Sequence, residues 1–268
     1  MKGIFLFALG FVISAPGAFA QKPDSAQIEV HYKFLHVRDT NNRDKPYTEN
    51  MILLVGRSGG VYKSGDRRTE VQSSPNPDGT TRTDSHSFGS PSEYYQFPNE
   101  KRLTRKEVIL FTDFLLTDPL PAMTWRITAD TMTLGGLHCQ KATTHFKGRD
   151  YIAWFCPDLP LHIGPWKLNG LPGVIVEAHD AKNEVRFTFN GFTRPAPTAI
   201  QPPDKGVKTT EKEFTRLDET AHKDPQAFVN AMGNGSGPGG NGRPAMKIDV
   251  KPVPGSAINN PIELPETK

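Results

Sequence analysis

Between residues 26 and 190 the chain falls into short apolar runs, several alternating with polar positions at a period of two, separated by Gly, Pro, Asn and Asp. Ile28, Val30, Tyr32 and Phe34 alternate with Glu29, His31 and Lys33, the pattern of a half-buried strand. Residues 51–55, 108–116, 125–134, 174–178 and 185–189 extend the series. The stretch 64–105 is mostly polar and reads as irregular connections with at most short strands, such as 94–97. Short strands with close turns predict a mainly β protein: an antiparallel multi-stranded sheet, as a curved sheet, half-barrel or sandwich. Helical grammar comes late. Thr210 with Glu213 has capping-box spacing, and Phe214, Leu217 and Ala221 then share one face. Asp224-Pro225 ends that helix and starts another that runs to Met232. One or two short C-terminal helices are expected.

The N-terminus reads differently. Lys2, an apolar run over 4–13 and Ala18-Phe19-Ala20 have the grammar of a secretory signal peptide cleaved before Gln21. Residues 21–232 then form a β-rich domain. Residues 233–268 form a Gly/Pro-rich flexible tail whose last segment, Asn260-Pro261-Ile262-Glu263-Leu264, either stays loose or docks on the sheet. No later run approaches 18 apolar residues, so no transmembrane segment is expected after cleavage. The chain holds 24 Gly and 24 Pro, which argues against a mostly helical protein. A net charge of +3 gives no basis for a nucleic-acid binder.

Export makes the two cysteines informative, because disulfides persist in oxidising compartments. They flank Lys147-Gly148, a two-residue hairpin turn if 146 faces 149. Cys139 then lies directly opposite Cys156 at a non-hydrogen-bonded position, where Cα atoms are about 4.5 Å apart. The alternatives are two free buried thiols or a register one residue longer. In the same register Lys141 faces Trp154 and His145 faces Asp150. The first pair suits a cation–π contact. The second is a cross-strand pair, or a general-base pair if a nucleophile and pocket accompany it.

Gly164-Pro165-Trp166-Lys167-Leu168-Asn169-Gly170-Leu171-Pro172-Gly173-Val174-Ile175 resembles the signature of the GLPGLI family, exported proteins of Bacteroidota, with Val174 in place of Leu. Cys139-Gln140-Lys141-Ala142-Thr143 and Gly148-Arg149-Asp150-Tyr151-Ile152-Ala153-Trp154 match further blocks, as do Trp125, 211–229 and the terminal Asn-Pro-Ile-Glu-Leu. The likeness is dense over 125–190. It implies an envelope binding or accessory module, associated with an outer-membrane TonB-dependent receptor or another envelope protein. It implies no catalytic residues, and no cofactor is expected. The signature loop has two readings. It wraps the sheet edge and delivers 174–176 into the core, with Pro172-Gly173 as the centre of a type II turn. Or it is a recognition loop presenting Trp166, Lys167 and Leu171 to a partner.

Gly56-Arg57-Ser58-Gly59-Gly60 fits G-x-S-x-G, but a nucleophile elbow leads into a helix and this one leads into the strand-like Val61-Tyr62-Lys63. A strand–turn–strand connection is the simpler expectation. The enzyme alternative is a secreted hydrolase using Ser58 with Asp158 and His162, or using His145 and Asp150. Eight scattered histidines form no compact ligand motif, so a metal- or redox-binding protein is a third reading. The basic run 101–106 is expected as a solvated loop, with a contact for anionic envelope components as its rival.

Overall fold

The computed structural model describes residues 24–75, 81–233 and 258–266. The expected leader and most of the Gly-rich linker lie outside these residues. The strands are β1 (Ile28–His36), β2 (Tyr47–Val55), β3 (Gly60–Ser64), β4 (Arg68–Pro75), β5 (Thr81–Phe88), β6 (Glu93–Phe97) and β7 (Arg102–Ile109). They continue as β8 (Thr112–Pro119), β9 (Arg126–Leu134), β10 (Leu137–Phe146), β11 (Arg149–Cys156), β12 (Val174–Asp180), β13 (Val185–Thr193) and β14 (Val207–Thr209). Two helices follow, α1 (Glu211–Lys223) and α2 (Pro225–Gly233). Twelve strands form one sheet in the order β14-β8-β7-β6-β3-β2-β1-β13-β12-β11-β10-β9. Every neighbouring pair is antiparallel except β14 with β8. The sheet does not close into a barrel, and β9 and β14 are its edges. The mainly β reading with two short C-terminal helices therefore holds.

Where burial imposes a pattern, the sequence and the structure agree. Val30 and Tyr32 of β1 are fully buried, and that strand pairs with β2 on one side and β13 on the other. Thr210 caps α1 by accepting from the Glu213 N–H, and Asp224 Oδ1 accepts from the Ala227 N–H at 2.8 Å to start α2. Phe214, Leu217 and Ala221 pack with Phe228 over Phe114 and Leu116 of β8.

Three expectations are corrected. The stretch 64–105 is largely strand. It contains the β4–β5 hairpin, which pairs only with itself, and the residues of β4 are all exposed. Exposed throughout, β4 needs no alternation of polar and apolar residues. The basic run 101–106 is the start of β7 rather than a loop, and Arg105 in it is buried. Its guanidinium pairs with Glu107, Asp118 and Glu211. The single run expected over 108–116 is instead a turn between β7 and β8, with Leu110 at φ 54° and Phe111 exposed.

The main core lies under the segment between β11 and β12. Ile163, Trp166, Leu168 and Leu171 of that segment are buried in one cluster with Tyr32, Leu53, Tyr62, Phe155 and Phe187. Contacts come from well-separated strands. Tyr32 of β1 donates to the Ile175 carbonyl at 2.6 Å, and Gln96 of β6 donates to the carbonyls of Gly164 and Trp166 at 2.9 Å each. Trp125, just before β9, donates to the Asn169 carbonyl at 2.7 Å. Residues of β1, β6 and the approach to β9 thus all bond to this segment or to the start of β12, and the segment is packed into the main core.

Candidate functional site

The β10–β11 hairpin has the register expected from its turn. Phe146 pairs with Arg149, His145 with Asp150 and Lys141 with Trp154. Lys147 (φ 51°) and Gly148 (φ 68°) both take positive φ, as a type I′ two-residue loop requires. Cys139 and Cys156 are joined by a disulfide, with Cα atoms 4.3 Å apart. Both are buried, whereas Lys141 and Trp154 are only part-buried and His145 and Asp150 are exposed. The Lys141 ammonium bonds to Asp130 at 3.0 Å, so the pair expected as a cation–π contact is instead a salt bridge to β9. Among the described residues no helix is long and apolar enough to cross a membrane.

The signature loop turns inward. Trp166 is 4% exposed and Leu171 1%, so neither side chain stands out toward a macromolecular partner. Lys167 forms an ion pair with Glu263 and is part-buried, and of Trp166, Lys167, Leu171, Pro172 and Gly173 only Pro172 is exposed. The turn at Pro172 is also tighter than a type II turn, because the Gly173 N–H donates to the Leu171 carbonyl at 2.8 Å. A Cβ on Gly173 would lie 2.3 Å from the Cys156 carbonyl oxygen, so only glycine lets the loop meet the end of β11. Val174, Ile175 and Val176 are then delivered fully buried into the core.

The C-terminal segment docks, and a buried arginine holds it. Arg149, 4% exposed at the start of β11, donates from Nη1 to Asp180 at 2.6 Å and to Glu184 at 3.3 Å. From Nη2 and Nε it donates to Asn260 Oδ1 (2.6 Å) and to the carbonyls of Pro261 (2.8 Å) and Ile262 (3.0 Å). Five acceptors around one guanidinium match its fork of donors. Asn260, itself buried, also donates to the Val37 carbonyl at 2.7 Å and to Glu184 at 3.1 Å. Glu263 pairs with Lys167 and Lys147, and Glu266 accepts from the Gly148 N–H and bonds His145. Burial draws the Glu263 carboxyl upward, but the two lysines outweigh it and hold it below the ordinary value. Bonds to Asp150 and Glu266 hold the His145 imidazole above its ordinary value. The His145–Asp150 contact of 2.7 Å thus forms part of a latch on the tail.

Between the sheet, the signature loop and this docked segment lies a cavity of about 200 Å³. Its walls carry the rings of Phe34, Tyr47, Tyr62, Tyr94, Trp166 and Phe187, and Ile262 of the tail closes one side. Trp166 reaches it from φ 56°, a region that non-glycine residues rarely enter, with Gln96 holding its carbonyl. The polar lining is Arg38, Glu49, His36, Ser90 and Ser92. Glu49, 7% exposed, accepts from the Tyr47 hydroxyl and the Ser90 N–H at 2.5 Å each. No cationic side chain among the described residues lies within ion-pair distance of it. The Arg38 guanidinium stacks 3.5 Å from the Tyr47 ring centroid, also without a carboxylate partner. The Tyr62 hydroxyl is buried with no hydrogen-bond partner, and burial pushes its pKa well up. Burial likewise lowers the His36 pKa to about 4, so this imidazole is neutral and its Nε2–H donates to the Asn260 carbonyl at 2.8 Å. None of these residues was singled out in the sequence for this site except Trp166. They come from β1, β2, β3, β6, β13, three loops and the docked C-terminal segment, and no spacing along the chain marks them.

Ser58 sits on the turn joining β2 to β3, a strand–turn–strand connection without a helix. Its hydroxyl donates to Asp24 at 2.9 Å, and the N–H groups of Ser58 and Arg57 donate to the same oxygen at 2.7 Å each. Although burial opposes them, these bonds hold the Asp24 carboxyl below its ordinary value, which makes it a poor base for a hydroxyl. Asp158 accepts from the His138 N–H, and neither it nor His162 is bonded to Ser58. An open cleft of about 1090 Å³ beside this turn is lined by Asp24, Arg57, Phe97, Glu100 and Arg194 among others. Among the described residues no three His, Cys, Asp or Glu side chains converge as a metal-ligand group.

No family model matches the sequence, and no curated protein does. Among solved structures the chain is similar to PNGF-II in its P21 crystal form, with a TM-score of 0.50 at 10% identity over 71% of this chain. The C2 form of PNGF-II gives 0.47 at 10% identity over 73% of this chain. The chain spans about a third of the length of these structures, 32% of the first and 33% of the second. At such identity the likeness extends to the fold alone.

Proposed function

We propose that the protein is an exported, non-catalytic binding module of the cell envelope, and that its binding site is the aromatic cavity beneath the signature loop. One observation carries this reading. A cavity of about 200 Å³ joins six aromatic side chains to three buried or half-buried polar groups that the protein leaves without the partners they call for. A buried hydroxyl left unbonded costs about 1–3 kcal/mol, so a ligand that bonds it recovers that cost. Concave, mostly apolar sites with a few convergent polar groups are the usual form of small-molecule sites. The disulfide fits an oxidising compartment, and the leader grammar supports export. The partner in this reading is an outer-membrane receptor, on the strength of the GLPGLI resemblance alone.

The test is a ligand-observed NMR screen of small polar and amphipathic fragments against the full chain and against Ser92→Tyr. Ser92 lines the cavity, and a tyrosine there fills it. Fragments that bind the parent and are lost in the variant support the reading. Fragments that bind both proteins equally, or an absence of hits with the parent, overturn it.

A further inference from the structure

The two charged side chains that line the aromatic cavity have opposite signs, and neither is ion-paired within the described protein. Glu49 is 7% exposed, and both of its hydrogen bonds come from donors, as a carboxylate requires. Burying a carboxylate without a cation is costly unless something completes its coordination. Arg38 contacts the same tyrosine. Tyr47 donates its hydroxyl to Glu49 and offers its face to the Arg38 guanidinium at 3.5 Å. The two charges therefore contact one tyrosine and line one cavity of about 200 Å³. Between them the walls are aromatic: Phe34, Tyr62, Tyr94, Trp166 and Phe187. Such rings attract a cation over their faces and bury an apolar body equally well. The other titratable groups around the space do not offset either charge. His36 is neutral at physiological pH, Glu107 is bonded to Ser92, and Lys167 is committed to Glu263.

Simple cations or anions fit half of this arrangement. A cation would leave Arg38 unanswered and close by, and an anion would do the same with Glu49. A neutral sugar would satisfy hydrogen bonds but neither charge. Resting on the proposed binding role of this cavity, we infer that it holds a small zwitterion of the free α-amino-acid type. The ammonium lies at Glu49 among the rings, the carboxylate at Arg38, and an apolar side chain in the aromatic space. Tyr62 then has its missing hydrogen-bond partner. The volume of about 200 Å³ lies below the range of roughly 300–1,000 Å³ typical of drug-sized sites, which limits the ligand to single amino acids rather than peptides. Paired contacts at both ends also explain why selectivity is expected to be sharp. A site built around buried polar groups rejects an analogue that lacks their partner.

The experiment is isothermal titration of the full chain with L-leucine, N-acetyl-L-leucine and L-leucinamide. These three share the side chain and differ only in which charge is kept. Binding of L-leucine, with each blocked form at least tenfold weaker, is the expected result. Glu49→Gln should weaken L-leucine at least tenfold while leaving the preference for a free carboxylate, and Arg38→Gln should do the converse. Tyr62→Phe, which keeps the ring and the fold, should weaken it severalfold. Equal binding of all three compounds at the cavity overturns the zwitterion and leaves the binding reading intact. No binding of L-leucine overturns the zwitterion also, and the fragment screen against Ser92→Tyr then decides the binding reading by itself.

Discussion

Nη2 of Arg149 lies 2.6 Å from Oδ1 of Asn260, a contact between residues 111 positions apart that ties the end of the chain to the sheet. The arginine is inside the protein because Asp180 and Glu184 neutralise it, and those carboxylates in turn need it. Asp180 also sets the turn between β12 and β13, its Oδ1 accepting the N–H groups of Glu184 and Val185 at 2.7 and 3.0 Å. Asp180 thus serves the turn with one oxygen and the arginine with the other.

Replacing Arg149 by Met leaves the buried Asp180 without a cation and Glu184 with Arg43 alone, and breaking such a buried pair costs about 3–5 kcal/mol. Asn260→Ala removes the tail's own hydrogen bonds and leaves the ion pair in place. It should cost less, about 1–3 kcal/mol, and act locally. Urea unfolding measures the first effect. Hydrogen exchange of residues 258–266 measures the second, with faster exchange there and little change in β1 or β12. Equal protection of the tail in parent and Asn260→Ala would show that the asparagine does not hold it.

Stability should fall with acid through His36. Burial depresses its folded pKa to about 4 from an ordinary 6.5, so the unfolded chain takes up the proton first. Its contribution is fully present above pH 6.5 and is lost as pH falls toward 4. Burial holds Glu107 above its ordinary value, which tilts the curve the other way, so the comparison must be made against a variant. His145, with its raised pKa, contributes stability below 6.5 that is lost only at higher pH. The urea midpoint of the parent, relative to His36→Gln, should therefore drop between pH 6.5 and 4.5. Parallel midpoints across that window would contradict the assignment of a neutral, buried His36.

The cystine joins residues 17 apart, for which the loop-entropy relation gives about 3 kcal/mol. A Cys139→Ala, Cys156→Ala double variant should unfold at correspondingly lower urea, and reductant should shift the parent but not the variant. The hairpin itself should survive, since its type I′ turn and cross-strand pairs do not depend on the bridge.

Local chemistry made some elements legible and left others hidden. The alternation in β1, the caps of α1 and α2 and the register of the β10–β11 hairpin each rest on neighbours in sequence or on one turn, and all three are present. The strand β4 was illegible because it is exposed throughout, and β7 because Arg105 is buried by carboxylates from β8 and α1 rather than by an apolar pattern. The Leu110–Phe111 turn carries neither Gly nor Pro to announce it. Trp166 was marked by its loop, but its direction was not, since the inward turn depends on Gln96, 70 residues away. The cavity as a whole joins residues from 34 to 262 and has no linear signature.

The account stands or falls on whether a small molecule occupies the space under Trp166. Its indole N–H can be followed by two-dimensional NMR of the full chain alongside those of Trp125 and Trp154, which do not line the cavity. Titration with L-leucine should move the Trp166 indole resonance saturably and leave the other two nearly still. A Trp166 signal that stays fixed, or three signals that drift together without saturation, would contradict a binding site at this position.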